Sequence, residues 1–141
     1  MRTLLIACGN PLRRDDGVAA EVLQFMAPSV DREMRVVHQL TPEWAEEIAR
    51  FDRVIFIDAE STSEATTRAT IEVVRSIISQ APLTHASTPA EIVMLSRMLF
   101  AFSGEALVCR IPARDFSPGE GLTADGMRMA HETADELEHI L

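Results

Sequence analysis

The stretch IACGNPLRRDDGV, residues 6–18, decides the fold. It leaves an apolar strand, turns at Gly9-Asn10-Pro11, and passes the acidic pair Asp15-Asp16. It then enters a helix on which Val18, Val22 and Phe25 or Met26 share a face. Strand–turn–helix openings of this kind belong to open α/β sheets, in which ligands gather beyond the carboxyl ends of strands. An aspartate at a helix start satisfies free backbone N–H groups and suits the helix dipole. That accounts for one acid of the pair. Two adjacent carboxylates repel each other and call for a proton, a cationic partner or a metal.

Outward from this stretch, strand and helix signals alternate. Residues 3–8 form a short buried strand, and residues 35–40 (RVVHQL) a second that ends in polar residues. Thr41-Pro42 opens a short helix with Trp44, Ala45 and Ile48 on its apolar face. Residues 54–57 are apolar throughout, as a parallel strand covered on both faces must be, and end at Asp58. A polar loop over 60–68 precedes a fourth strand at 70–74. The connection 79–84 delivers His85 just ahead of a capping box, Thr88-Pro89-Ala90-Glu91. The helix behind it carries Ile92, Leu95, Leu99 and Phe102 on one side and ends at Gly104. A fifth strand at 106–111 and a loop at 112–121, with a turn at Ser117-Pro118-Gly119, lead to a helix capped by Thr123. Its stripe is Met127, Ala130, Ala134, Leu137 and Leu141, with His131 and His139 off the stripe and solvated. The pattern predicts one domain over 1–141, a three-layer α/β/α sandwich around a twisted, mostly parallel five-stranded sheet.

Composition narrows the chemistry. The net charge of −9 argues against a nucleic-acid backbone as partner. All thirteen basic residues are arginine, which excludes Schiff-base lysine chemistry and a P-loop lysine. Cys8 and Cys109 lie in separate apolar runs and read as buried core residues, not as zinc ligands. No apolar run is long enough to cross a bilayer, and the N-terminus lacks the regions of a signal peptide, so a cytoplasmic address is expected. The dinucleotide fingerprint, HExxH and GxSxG are absent. Asp16 (or Asp15), Asp58 and His85 remain as candidate site residues. Two carboxylates and an imidazole form a plausible set for a borderline divalent metal with open positions.

Four segments, GNPLRRDDGV (9–18), VIFIDA (54–59), THASTPAEIVML (84–95) and LVCRIP (107–112) with the loop to GEGLT (119–123), carry a resemblance. In order and separation they resemble the maturation endopeptidases of nickel–iron hydrogenases over nearly the whole chain. The resemblance implies a peptidase, grouped with aspartic-type or metal-dependent enzymes. Such an enzyme removes a C-terminal extension from the hydrogenase large-subunit precursor after nickel insertion. It also implies that the nickel arrives with the precursor, is bound only weakly by the free enzyme, and meets Asp16, Asp58 and His85. A monomer without nucleic-acid or membrane partners is expected. Two departures stand out. Asp16 occupies a position where well-known members carry glutamate, which leaves Asp15 as an alternative ligand or as a helix cap or supporting group. His38-Gln39-Leu40-Thr41 replaces a glycine-rich turn of some members, and His38 is given no metal role.

Three rivals come from other classes. A phosphoacceptor receiver domain needs a lysine that this chain lacks. A peptidyl-tRNA hydrolase needs a basic face. A non-catalytic nickel chaperone would use the same three residues without cutting.

Overall fold

The computed structural model describes residues 1–62, 68–75 and 87–141. Five strands form one sheet: β1 (Thr3–Cys8), β2 (Arg32–Val37), β3 (Arg53–Ser61), β4 (Thr70–Val73) and β5 (Glu105–Ala113). Their order is β2-β1-β3-β5-β4, parallel except for the antiparallel edge pair β4–β5. The helices are α1 (Val18–Gln24), α2 (Trp44–Ile48), α3 (Pro89–Leu99) and α4 (Ala124–Ile140).

Alternation along the central strands explains the layers. On β1, Leu5 and Ala7 pack with Val18, Val22 and Met26 from α1 and its end, and with Met129, Ala130 and Leu137 of α4. Leu4, Ile6 and Cys8 point the other way, toward Ala45 and Ile48 of α2 and Ile92 and Val93 of α3. A strand that buries both faces must be apolar at every position, which is why TLLIAC and VIFI lack the polar alternation of a half-exposed strand. Truncating Ile6 or Phe56, both fully buried, to alanine is expected to cost about 2–5 kcal/mol. The expected three-layer sandwich is therefore the observed one.

Several boundaries differ, each for a physical reason. β2 spans Arg32–Val37 rather than 35–40. It is an edge strand whose register runs from Thr3↔Arg32 to Cys8↔Val37, and its polar start is partly exposed. β3 does not end at Asp58. It runs on to Ser61 because β5 also continues, pairing Ala59 with Ile111 and Ser61 with Ala113. α2 begins at Trp44, two residues past Pro42, after a turn in which Trp44 N–H donates to Thr41 O. α3 stops at Leu99, well before Gly104, and Ala101 takes the left-handed conformation at φ 56°. Gly104 instead serves close packing, since a Cβ there would come within 2.4 Å of the Asp52 carbonyl oxygen.

Two predicted stripes hold except at one residue each. α3 buries Ile92, Val93 and Ser96, while Leu99 is exposed. α4 buries Met129, Ala130, Thr133, Ala134 and Leu137, and Met127 faces solvent. His131 and His139 are exposed, as expected, with His131 stacked on Phe25.

The connections define where a site belongs. From β1 the chain crosses by α1 to β2 on one side. From β2 it crosses by α2, on the opposite face, to β3 on the other side of β1. The order reverses at β1, and a crevice opens beyond the carboxyl ends of β1 and β3.

Candidate active site at the sheet switch point

The residues beyond β1 do not form a simple capped helix. Arg14–Gly17 is a 3-10 turn, and neither it nor α1 has a side-chain cap. Gly9, at φ 148°, sits so close to the next layer of chain that a Cβ there would fall 2.0 Å from the Asp16 carbonyl oxygen. Only glycine permits this approach, and the approach brings Asp16 back over the end of β1. Asp16 N–H donates to Arg13 O at 3.0 Å. The Asn10 N–H donates to Asp16 Oδ2 at 2.8 Å. The carboxylate is thus held by the turn that precedes it.

Asp58 arrives on the neighbouring strand, in register with Cys8 of β1 and Arg110 of β5. Asp16 and Asp58 line one cleft of ≈ 270 Å³ together with Cys8, Phe56, His38, Gln39 and Ser87-Thr88-Pro89 at the start of α3. Ser87 N–H donates to Leu40 O at 3.0 Å and ties the segment after β2 to the start of α3. Thr88 caps α3, its Oγ1 accepting from Glu91 N–H at 3.2 Å.

The electrostatics distinguish Asp58. It keeps a solvent-accessible side, yet surrounding protein first, and the Asp16 charge second, push its pKa up from 3.8 to about 6. Arg110 pulls the other way but is shared with Glu72, at 3.4 Å. A pair of carboxylates meeting in a cleft with an incompletely compensated charge is the arrangement that binds a proton or a cation. Its oxygen donors suit a divalent metal, and a borderline ion such as nickel adds an affinity for imidazole.

Cys8 borders the same cleft but is no nucleophile. Burial, reinforced by Asp58, pushes its thiol up to about 12, so at neutral pH the thiolate is essentially absent. Cys109 is fully buried in the core, as the sequence indicates.

Of the predicted site residues, Asp16 and Asp58 therefore come together, and His85 lies outside the described residues. Among the described residues, no group of three or more His, Cys, Asp and Glu is disposed to hold a metal. Of the roles left open for Asp15, the structure speaks against two. Asp15 neither caps its own helix nor enters the cleft lining; it is buried against the start of α4. His38, given no metal role from sequence, lines the cleft and is exposed there. Its signal was positional: it directly follows Val37, whose carbonyl accepts from Gly9 N–H at 3.1 Å.

No helix among the described residues is long and apolar enough to cross a membrane. No protein-family model matches the chain, and no curated protein matches it in sequence. Solved structures do resemble it. The NiFe hydrogenase maturation protease HycI from Thermococcus kodakarensis KOD1 superposes with a TM-score of 0.79 at 18% identity, covering 99% of this chain and 92% of that one. The hydrogenase maturating endopeptidase HybD from E. coli gives 0.72 at 17% identity over 100% and 92%. A hydrogenase 2 maturation peptidase from Thaumarchaeota archaeon SCGC_AB-539-E09 gives 0.70 at 18% identity over 99% and 97%. At these identities the likeness establishes a shared fold across the full chain.

Proposed function

We propose that this chain is a hydrogenase-maturation endopeptidase, which removes the C-terminal extension of a nickel–iron hydrogenase large-subunit precursor once nickel is in place. The observation that carries the proposal is the meeting of Asp16 and Asp58 in one cleft at the sheet switch point. The cleft lies in a fold shared with proteins of that activity.

Asp16, Asp58 and His85 hold the nickel that the precursor brings with it, and the free chain binds nickel weakly. In that position the cation supplies positive charge that fixes the tail and polarises the scissile carbonyl or an attacking water. The chain's own groups do the rest. The Asn10 N–H fixes the Asp16 carboxylate. Asp58, whose carboxyl is raised to about 6 by burial and by Asp16, gives up its proton when it takes the precursor's nickel. The wall formed by His38, Gln39 and the start of α3 receives the extended tail. The enzyme works as a cytoplasmic monomer on a protein client, without nucleic acid or membrane.

The test is processing of purified nickel-loaded precursor by the wild-type chain and by Asp16→Asn, Asp58→Asn and His85→Ala. Wild type should cut the loaded precursor and leave nickel-free precursor intact, and each variant should be severely slowed. Normal rates in all three variants, or efficient cutting of nickel-free precursor, contradict the proposal. Tight nickel binding by the free chain without cleavage would indicate a chaperone instead.

A further inference from the structure

Asp15 is 4% exposed, although it adjoins a residue that faces the cleft. Its carboxylate leaves the cleft side and spans to an element 108 residues later. Oδ1 accepts from Thr123 N–H at 2.9 Å, and Oδ2 accepts from Thr123 Oγ1–H at 2.8 Å. Thr123 is the cap of α4, its Oγ1 accepting from Gly126 N–H at 3.0 Å. A Cβ on Gly126 would stand 2.3 Å from Asp15 Oδ1, so glycine there makes room for the carboxylate. The backbone repeats the link: Asp15 N–H donates to Asp115 O, and Arg14 N–H to Gly119 O, each at 3.0 Å. Gly119 N–H returns a bond to Leu12 O at 2.9 Å.

We infer that Asp15 is a positioning residue, which clamps the turn bearing Asp16 to the start of α4 and so sets where the Asp16 carboxylate stands in the cleft. The physical reason is the geometry of the turn. Arg14–Gly17 is one short 3-10 turn and cannot by itself hold a side chain to the tolerance a reacting group needs. Its outer side is therefore pinned to a 17-residue helix through a carboxylate at the positive end of that helix. Its inner side then presents Asp16 to Asn10 N–H and Asp58. The adjacent acids divide the work: one is satisfied and fixed, and the other is left available.

This inference rests on the proposed cleavage for its activity readout. The Asn10 amide, which donates to Asp16, supplies a readout independent of it. The experiment uses the full ¹⁵N-labelled chain as wild type, Asp15→Ala, Thr123→Val and Thr123→Ser. The Asn10 amide shift is followed by NMR, and kcat and KM on nickel-loaded precursor are measured below the unfolding range. In Asp15→Ala and Thr123→Val, the Asn10 amide should move and kcat should fall by about 10- to 100-fold, the scale for a small misplacement of a reacting group. KM should rise as well, because a displaced Asp16 also loosens the hold on the precursor's nickel. Thr123→Ser, which keeps the hydroxyl, should restore both signals. Folded Asp15→Ala or Thr123→Val with wild-type kcat and an unmoved Asn10 amide would reduce Asp15 to a stability role and overturn the inference. Should wild type fail to cut the precursor, the cleavage reading falls, and the Asn10 amide alone decides: displacement upholds the clamp, and an unmoved amide removes it.

Discussion

The two ends of the sheet treat charge in opposite ways. At the amino end, carboxylates find partners. Asp52 accepts from Arg2 N–H at 2.7 Å, and ion pairs join Arg2 to Glu33 at 3.3 Å and Arg53 to Glu105 at 3.7 Å. At the carboxyl end, Asp16 and Asp58 share a cleft, and their repulsion helps raise Asp58 to about 6. Paired surface charges hold little energy and do no chemistry. A carboxylate pair kept close at a cost in the folded state is an arrangement that a proton or a cation relieves.

The largest effects should come from breaking the carboxyl end. Asp16→Asn and Asp58→Asn should each slow precursor cleavage by about 100-fold or more, as expected for loss of a ligand to the precursor's nickel, with little change in fold by circular dichroism. Asp15→Ala should act on stability as well as rate. It leaves the Thr123 N–H and hydroxyl without their buried acceptor, a loss of about 1–3 kcal/mol visible as a lower denaturant midpoint.

The pH response sharpens the contrast next. Asp58 has its pKa raised in the folded state, so its favourable contribution is complete below about 4 and is lost as pH rises through about 6. Asp58→Asn should therefore gain thermal stability relative to wild type at pH 7.5 and lose that advantage at pH 4. A constant difference across the range would show that Asp58 is not held against its charge. Divalent-ion affinity should rise with pH over the same window, since proton and metal compete for one carboxylate. His38→Ala should raise KM several-fold at constant kcat, as expected for a wall residue. Arg2→Ala, at the amino end, should leave cleavage unchanged and alter stability by no more than about 0.5 kcal/mol.

What the sequence made legible follows the same division. The apolar runs of β1 and β3 were readable because burial on both faces leaves no polar position. β2 was displaced because an edge strand can begin with Arg32-Glu33, which carries no such signature. That Asp16 and Asp58 would meet in one cleft was legible because the crevice of this sheet class lies beyond its strand ends. The partner of Asp15 was not legible, because Thr123 is 108 residues away and no local pattern announces it. The exact place of His38 was not legible for a related reason. Its place in the cleft depends on the pairing of β2 with β1, which brings residue 37 beside residue 8.

The central claim is that distant segments converge so that Asp16 and Asp58 share one cation with His85. A crystal structure of the chain soaked in nickel, with anomalous scattering at the nickel edge, tests it most directly. A single peak bonded to both carboxylates and to His85 at about 2.0–2.2 Å is the predicted result. Nickel seated elsewhere, with Asp16 and Asp58 each turned to its own protein partners, would contradict it.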